Sequence, residues 1–435
     1  MQIDIANALS GTARPGVSEE ALARLDERVG PAHDRIARGL ADREFGYTAL
    51  GLPERVDPDR IRETVAPFGR ARQVLTVGIG GSALGATTLT DALGLAGHVA
   101  IDNVDPVLSN RLFERLPLQE TVVHVVSKSG TTAETLANFL CVRAAIDEAG
   151  GDWTEQTVVT TGQDGPLREM ADRHDLPSCE TPAGVPGRFA ALSPVGLVPL
   201  ALLGGDIEGV LQGGRDAVAG LSGSLFDCPA YAYAAICHAL ERRDAVTNVI
   251  MPYQESWESL GEWVAQLWAE SLGKDGGGLT PVRALGATDQ HSQLQLYRAG
   301  RRDKLVTFLA PRDRPHVAIP ETDREGVGYL GDGDTTMGDL IDAELTATEA
   351  SLRAAERPNV RLTFGSDAVG IGEMLVALQA ACMMAGELRD VATFTQPAVE
   401  WGKRAARGLL SAESSEEADS IEDRAGYVIG DDAAR

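Results

Sequence analysis

The sequence predicts an α/β protein built from two domains, each a parallel sheet flanked by helices, with helical extensions at the N- and C-terminal ends. Three observations support this fold class: the chain has 435 residues, 43% of them are hydrophobic, and short β-branched runs alternate with longer amphipathic segments. A chain of this size and apolar content has enough material for two or three cores. Nearly continuous apolar strands separated by helices indicate parallel sheets that are covered on both faces.

The strand signals begin near residue 66, and a glycine-rich stretch separates them into two groups. Before residue 66 the sequence reads as polar helices without a strand, most clearly over residues 21–29 and 33–40. A charged, serine-rich stretch follows the second group and is typical of a mobile tail. In chain order we predict an N-terminal helical segment, two α/β domains, a C-terminal helix and an acidic mobile tail, over residues 1–65, 66–215, 216–395, 396–411 and 412–435.

Each predicted domain follows the same plan of strands joined by helices. In the first domain, β-branched runs predict strands over residues 73–77, 98–101, 122–126 and 157–160. The clearest helices between them cover residues 83–93 and 133–148. In the second domain, strands are predicted over residues 246–251, 305–309 and 360–364. Its helices are predicted over residues 260–271, 337–353 and 372–388.

The charge of the chain limits its partners. A net charge of −25 argues against binding to nucleic acid or to an anionic membrane, because both need clustered basic residues. Lysine is almost absent, with only Lys128, Lys274, Lys304 and Lys403 in the whole sequence. An acidic surface nearly free of lysine is typical of cytoplasmic proteins from salt-loving archaea, whose carboxylates stay hydrated at high salt. We therefore expect a halophilic protein.

Cysteine usage and hydropathy indicate the compartment. The five cysteines are an odd number, widely spaced and without a C-x-x-C pair, which favours a reducing environment. The first residues lack the basic and apolar regions of a signal peptide. The longest apolar run, Val195 to Leu203, is interrupted by Pro199 and is too short to span a bilayer. We expect a soluble, cytoplasmic protein with no membrane partner.

A glycine-rich loop follows the first predicted strand and begins a helix: Gly78-Ile79-Gly80-Gly81-Ser82. Backbone N–H groups at such a helix start favour an anion. Taken alone, the loop also fits the dinucleotide fingerprint G-x-G-x-x-A, with Asp102 placed where a ribose ligand would lie. An ordinary tight turn without a ligand is a third interpretation.

A second loop, which also follows a strand and begins a helix, favours a phosphate site over the other two interpretations. Its sequence is Ser127-Lys128-Ser129-Gly130-Thr131-Thr132. Its hydroxyls are neutral donors, which suit a small phosphomonoester better than a polyanion. A dinucleotide fold does not require such a loop. Two loops at the carboxyl ends of parallel strands are expected to converge on one crevice and to hold one phosphate. The ordinary alternative is that Thr131 or Thr132 only caps the following helix.

Four further side chains carry candidate chemistry, and each has an ordinary alternative. Arg188 lies in a Gly/Pro-rich turn and could be a surface arginine. Glu270 is a candidate general base on a helix whose neighbours Trp263, Leu267 and Trp268 are apolar, or else a solvated carboxylate. His291 begins a helix and could bond only to local backbone. Lys403 lies three residues after Glu400, where an i,i+3 salt bridge would account for it.

These residues belong to six motifs that occur in one order along the chain: Gly78-Ile-Gly-Gly-Ser, Ser127-Lys-Ser-Gly-Thr-Thr, Gly187-Arg-Phe, Glu270-Ser-Leu-Gly-Lys, Thr288-Asp-Gln-His-Ser and Gln396-Pro-Ala-Val-Glu-Trp-Gly-Lys. In order and spacing the motifs resemble the phosphoglucose isomerase family, over roughly residues 70 to 410. Three departures occur. Pro186 and Ala190 flank the arginine motif where the family has Gly and Ser, Leu272 stands in place of Asn, and the last motif lacks the family's Asp and Gly. They leave the charged positions intact.

The resemblance implies two sugar-isomerase (SIS-type) domains and an isomerase of glycolysis and gluconeogenesis that interconverts glucose 6-phosphate and fructose 6-phosphate without a cofactor or metal. By the same resemblance, Glu270 moves the proton, Arg188 stabilises the enediolate, and His291 and Lys403 open the ring. Gln396 would bind the sugar, and 396–411 would be an active-site helix. The phosphate would be held by the Gly81 amide and the hydroxyls of Ser82, Ser127, Ser129 and Thr132.

In this family the histidine comes from the partner subunit, so the resemblance also implies a homodimer with shared active sites. Three alternatives stay open at this point. The chain could be another sugar-phosphate isomerase of the same fold, including one that also acts on mannose 6-phosphate. It could be a non-catalytic sugar-phosphate sensor, or a nicotinamide dehydrogenase.

Overall fold

The computed structural model describes residues 1–320, 330, 335–410, 415–422 and 429. Two compact units are present, Met1–Thr393 and Phe394–Arg435. The first unit contains helices α1 to α14: Glu19–Ala41, Leu52–Arg55, Pro58–Val65, Leu84–Ala92, Pro106–Arg115, Ala133–Glu148, Pro166–Arg173, Pro194–Leu202, Ile207–Ala219, Pro229–Glu241, Glu258–Leu272, Thr288–Ala299, Met337–Ala354 and Ala368–Arg389. The second contains α15 and α16: Pro397–Leu410 and Glu416–Glu422.

Ten strands, β1 to β10, occur in the described residues: Gln2–Asp4, Gln73–Val77, His98–Ile101, Thr121–Ser127, Thr157–Thr161, Ser178–Glu180, Thr247–Pro252, Thr280–Arg283, Lys304–Pro311 and Asn359–Phe364. They form two five-stranded sheets, both within the first unit. The α/β class and the two sheets are therefore confirmed. The proposed domain boundaries within the first unit stay a prediction.

The first sheet has the order β3-β2-β4-β5-β6, and all of its strands are parallel. The four strands predicted for this region are confirmed, whereas the three-residue β6 was too short to be recognised. The chain places β3 on one side of β2 and β4 on the other. The carboxyl ends of β2 and β4 therefore lie at the point where the strand order reverses, which is where ligands bind in open α/β sheets.

The second sheet has the order β1-β10-β9-β7-β8. Strand β1 pairs antiparallel with β10, and the other pairs are parallel. The prediction that residues 1–65 contain no strand was therefore wrong. Strand β1 has only three residues and therefore carries little periodic signal. It becomes a strand by pairing with Asn359–Phe364, which lies far away in the sequence. Strand β8 was also missed because it contains Pro281, which an edge strand tolerates.

Helix α1 is continuous through Pro31, so the prediction of two separate helices was wrong. The side chain of Ser18 accepts a hydrogen bond from the Ala21 amide and caps the helix start. The buried residues Leu22, Leu25, Val29 and Ile36 continue at helical spacing on both sides of the proline. Burial of this face stabilises the helix across a position that local propensity disfavours.

Among the helices in the described residues, α14 is the one that is both long and strongly apolar. An 18-residue window of α14 has a mean hydropathy of 1.7, which is long and apolar enough to cross a membrane by composition alone. However, 83% of that window is buried inside the protein, as in the core helix of a soluble protein.

All five cysteines are free thiols, as their spacing predicted.

The centre of the first sheet contains a buried histidine that predicts a pH-dependent stability. His124 of β4 is fully buried, and its Nε2 lies 2.7 Å from Thr160 Oγ1. Burial, reinforced by the nearby His98, lowers the pKa of His124 to about 3. An unfolded chain would protonate His124 near its ordinary pKa of about 6.5. The stability linked to this group is therefore complete above that pH and is lost progressively as the pH falls towards 3.

We expect His124→Gln to flatten the decrease in the free energy of unfolding between pH 6.5 and pH 4 by about 1.4 kcal/mol per pH unit. Glutamine can retain a polar contact with Thr160 but binds no proton. Urea unfolding of both proteins at pH 7, 6 and 5, in molar salt, measures the two slopes. Parallel slopes would show that His124 does not govern acid unfolding.

Candidate active site

The first glycine-rich loop lies directly against the turn that carries Arg188. After β2, the chain makes a short 3₁₀ turn over Gly80–Ser82 and then enters α4. Gly80 has a φ of +55°, which favours glycine. A Cβ atom on Gly81 would lie 2.5 Å from the carbonyl carbon of Gly187 and 2.7 Å from the Arg188 amide nitrogen. Only glycine permits this close approach of two backbones.

The second loop is organised by its own hydroxyls. Ser127, at the end of β4, is buried, and its Oγ lies 3.0 Å from Thr132 Oγ1. The amide and hydroxyl of Thr131 both donate to Ser129 Oγ, at 3.3 and 3.0 Å. Thr132 occupies the N-cap of α6, but within the described residues its side chain makes no capping hydrogen bond. The alternative that Thr132 simply caps this helix is therefore wrong.

Lys128 joins the second loop to the turn that carries Arg188. Its Nζ donates a hydrogen bond of 2.8 Å to the Val185 carbonyl, three residues before Arg188. It also lies 5.6 Å from the centre of the Phe45 ring, and burial lowers the pKa of its ammonium group. The two loops therefore converge on the segment 185–188, as the predicted crevice requires. The lysine charge is directed at the backbone of that segment.

Arg188 is a buried arginine with its donors distributed over several acceptors. It is only 2% exposed. Nε donates to Ser271 Oγ at 2.8 Å, Nη1 donates to Glu270 Oε2 at 3.1 Å, and Nη2 donates to the Thr393 carbonyl at 2.8 Å. Burial lowers the pKa of Arg188, while Glu270 opposes that shift. A guanidinium nevertheless stays protonated in proteins. The surface-arginine alternative is therefore wrong.

Glu270 lies in the last turn of α11 with one edge open to solvent. Its side chain is 29% exposed. Oε2 accepts from Arg188, and Oε1 accepts from Gln266 Nε2 at 2.9 Å. The apolar neighbours Trp263, Leu267 and Trp268 are buried, whereas the contacts of the carboxylate are polar. A carboxylate held on both oxygens beside a fixed cation has the orientation that a general base needs.

Gln266 connects the carboxylate to the first loop. A Cβ atom on Gly80 would lie 2.9 Å from Gln266 Nε2, so the amide lies directly against that glycine. One turn later, Lys274 donates from Nζ to the carbonyls of Glu270 and Ser271, at 2.8 and 2.6 Å. A cation on these carbonyls stabilises the end of α11. These contacts therefore connect the first glycine-rich loop, Glu270 and the end of α11 to one another.

His291 lies in the exposed first turn of α12. The residues before it are fixed, because Asp289 accepts from the Leu285 amide at 2.8 Å and Gln290 Oε1 accepts from Tyr253 Oη at 2.8 Å. Within the described part of this chain, no hydrogen bond or ion pair joins His291 to Arg188 or Glu270. The predicted helix start is confirmed, and the imidazole faces solvent on a rigid support.

The second unit carries Lys403 and Gln396. On α15, Lys403 Nζ donates to Glu400 Oε1 at 2.9 Å, and both side chains are about half exposed. The hydrogen bond from Lys403 lowers the pKa of Glu400. The ion pair offered as the ordinary alternative for Lys403 is therefore present. Gln396 is half-buried and directly precedes the helix.

The C-terminal helix predicted over residues 396–411 is observed as α15. The predicted mobile tail lies mostly outside the described residues. The part that is described contains helix α16, and there Glu417 accepts a hydrogen bond from Arg404 of α15 at 2.5 Å.

A different cleft, of about 730 Å³, is lined by none of the predicted site residues. Its lining contains a single arginine, Arg283, and five carboxylates: Asp91, Glu255, Glu258, Glu262 and Asp289. Such a surface repels a phosphate dianion. We therefore place the candidate site at the two loops and not at this cleft.

Three contributors to the site were not identified from the sequence. Gln266 could have been found, since its i,i+4 spacing places it on the same helix face as Glu270. Ser271 was part of a recognised motif but had received no role. The Thr393 carbonyl offered no signal at all, because any residue type supplies the same backbone acceptor.

Comparison with known proteins identifies the family. The family model described as phosphoglucose isomerase matches residues 63–299. A protein of Natronomonas pharaonis described as a probable glucose-6-phosphate isomerase is 60% identical, over 98% of this chain and 99% of its own length.

Two solved structures share the fold. The crystal structure of a hypothetical protein from Thermus thermophilus matches with a TM-score of 0.87 and 34% identity, over 94% of this chain and all (100%) of that one. The structure of a glucose-6-phosphate isomerase from Chlamydia trachomatis matches with a TM-score of 0.73 and 21% identity, over 84% of this chain and 75% of that chain. These matches confirm the α/β fold class, and the family model together with the Natronomonas pharaonis relative establishes that the chain belongs to the phosphoglucose isomerase family.

Proposed function

We propose that this protein catalyses the reversible isomerisation of glucose 6-phosphate and fructose 6-phosphate through an enediolate. The observation that carries this proposal is the buried Arg188 held 3.1 Å from Glu270, beside two loops suited to a phosphate. A coupled assay on a panel of hexose phosphates, in molar salt, tests it. Turnover of glucose and fructose phosphates supports the proposal. No turnover of either phosphate in a folded, salt-stabilised protein would refute it.

The phosphate is assigned to the two loops after β2 and β4. The Gly81 amide and the hydroxyls of Ser82, Ser127, Ser129 and Thr132 supply neutral donors. The start of α6 supplies helix-terminal amides, which favour an anion. Because Lys128 is directed at Val185, the loop binds by hydrogen bonding more than by net charge. This selects a small phosphomonoester over a polyanion.

Glu270 is assigned to the proton transfer between C2 and C1. Starting from the aldose, its carboxylate takes the C2 proton; the electrons of that C–H bond form the C1–C2 double bond and those of the C1 carbonyl move to its oxygen, which gives the enediolate. The same carboxyl group then returns the proton to C1, while the proton of the C2 hydroxyl passes to the C1 oxygen, so that C2 becomes the carbonyl and C1 carries the hydroxyl. Arg188 stabilises the negative charge that develops on the two oxygens. No step requires a redox partner.

Removal of one loop hydroxyl is expected to weaken phosphate binding. A hydrogen bond to a charged group contributes about 1.5–3 kcal/mol, so Ser127→Ala and Ser129→Ala should each raise KM roughly tenfold or more. The inhibition constant of inorganic phosphate should rise in parallel, since that ion contains only the anchored group. Thr154→Ala removes a hydroxyl that, among the described residues, bonds only to Asp152 within the loop before β5, and it serves as the control. An unchanged phosphate inhibition constant would contradict the assignment.

His291 and Lys403 are assigned to ring opening, and Gln396 to sugar binding, on the family resemblance. For His291, its exposure on a rigid turn supports a role in a site of a second subunit. We therefore infer a homodimer with shared active sites. The acidic, lysine-poor composition supports a soluble cytoplasmic protein adapted to high salt.

A heterodimer that combines His291→Asn in one subunit with Glu270→Gln in the other tests the shared site. If His291 acts in trans, one of the two sites receives both defects and the other is intact, so about half of the native activity returns. If His291 acts within its own chain, each site carries one defect and no activity returns. Tagged subunits allow the heterodimer to be purified from co-expressed protein. A monomer in molar salt would contradict the dimer itself.

A further inference from the structure

We propose that Ser271 is a positioning residue that fixes the Arg188 guanidinium for the reaction, an inference that rests on the proposed function of Arg188. The residue touches neither substrate phosphate nor sugar in this scheme. It acts through the hydrogen bond that its hydroxyl accepts from Arg188.

Ser271 and Glu270 are consecutive residues that hold two edges of one guanidinium. Ser271 is fully buried and accepts from Nε at 2.8 Å, while Glu270 accepts from Nη1 at 3.1 Å. The Thr393 carbonyl accepts from Nη2 at 2.8 Å. Because a guanidinium is planar and its donors point in fixed directions, acceptors on three nitrogens determine the orientation of its plane.

The position of Ser271 on the rigid helix α11 matters for this role. Lys274 bonds to the carbonyls of both Glu270 and Ser271, so the helix end that carries them is itself restrained. Because the Ser271 hydroxyl and the Glu270 carboxylate lie on the same helix turn, they together fix the position of the Arg188 guanidinium relative to Glu270. Such preorganisation is the main source of electrostatic stabilisation in a closed site.

The group beside Ser271 is a poor substitute for its hydroxyl. The thiol of Cys382 lies there, but it is fully buried and donates to the Leu267 carbonyl at 3.6 Å. A thiol is also a weak acceptor. Removal of Ser271 Oγ takes away the acceptor of a charged N–H in a buried place, which is costly. The guanidinium would turn about its remaining bonds and move relative to Glu270.

The test compares Ser271→Ala with the native enzyme in molar salt. We expect kcat to fall roughly ten- to a hundred-fold and KM to stay within about threefold, because orientation matters most in the transition state. Ser271→Thr, which retains the hydroxyl, should restore most of the lost kcat. If Ser271→Ala does not fold, Ser271→Cys under reducing conditions fills a similar volume with a weak acceptor and should show the same loss of kcat.

Two controls distinguish a positioning role of Ser271 from a merely structural one. Thr307→Val removes a fully buried hydroxyl that donates to Asn248 Oδ1 at 2.8 Å, and it should lower the melting temperature without changing kcat. In an Arg188→Lys background, Ser271→Ala should lower kcat by less than about threefold further, because Ser271 acts only through the guanidinium that this background lacks. An unchanged kcat in Ser271→Ala, or the same loss of kcat with and without Arg188, would overturn the proposal. If the native protein has no isomerase activity, the proposed function fails first, which is a separate result.

Discussion

Glu270→Gln is expected to abolish isomerisation, lowering kcat by about 10³-fold or more, because an amide cannot accept the C2 proton. Binding of fructose 6-phosphate should change by only a few fold, since the phosphate loops are untouched. Exchange of the C2 proton with deuterated solvent should disappear together with turnover. Isothermal titration and proton NMR measure these two quantities separately.

The local structure is expected to tolerate this substitution. Glutamine has the shape of glutamate, and its carbonyl oxygen can still accept from Arg188. Its new amide would face the Gln266 amide, but Gln266 Oε1 is a buried acceptor without a partner among the described residues. A flip of the Gln266 amide would bring that oxygen to the new donor. The variant should therefore fold.

Glu258→Gln is the matched control for this experiment. Glu258 is an exposed carboxylate in the first turn of the same helix. Its substitution removes an equal charge far along the helix from the base, so kcat should be unchanged. Isomerisation by Glu270→Gln at a rate near that of the native enzyme would show that the base is misassigned.

The central parallel strands were predictable from the sequence because they are buried on both faces. Val122 to Val126 is one nearly unbroken β-branched run, and β4 extends it by one residue at each end. The weakest signals belonged to edge strands. Gln2–Asp4 and Ser178–Glu180 have three residues each, and their structure depends on a partner strand elsewhere in the sequence. Local pattern contains no information about such a partner.

The candidate site shows the same division between local and long-range information. The two loops and their glycines could be placed from the sequence, because each loop follows a recognisable strand and begins a helix, whereas the charged residues were identified by the motifs that contain them. The burial of Arg188 could not, since any single arginine is more often exposed. Its position follows from contacts with residues 82 to 205 positions away in the chain. Such contacts exist only once both sheets and α11 are assembled.

Arg188→Lys is expected to lower kcat by about 10²–10³-fold, the usual loss when one electrostatic stabiliser of a developing oxyanion is removed. The charge is retained, so the substitution tests geometry. Lysine has one nitrogen in place of three and cannot reach Ser271, Glu270 and the Thr393 carbonyl together. Its ammonium group is also more strongly hydrated and fits poorly where a planar, weakly hydrated cation is buried.

The loss should appear in kcat and in kcat/KM by similar factors, because the guanidinium stabilises charge that exists only in the transition state. Arg283→Lys is the control, since its pair with Glu262 lies 2.5 Å apart on the surface and both side chains are about half exposed. That pair is expected to contribute at most about 1 kcal/mol to stability, and nothing to catalysis. A rise in KM at constant kcat for Arg188→Lys would instead assign Arg188 to substrate binding. The enediolate charge would then have to be stabilised by another group.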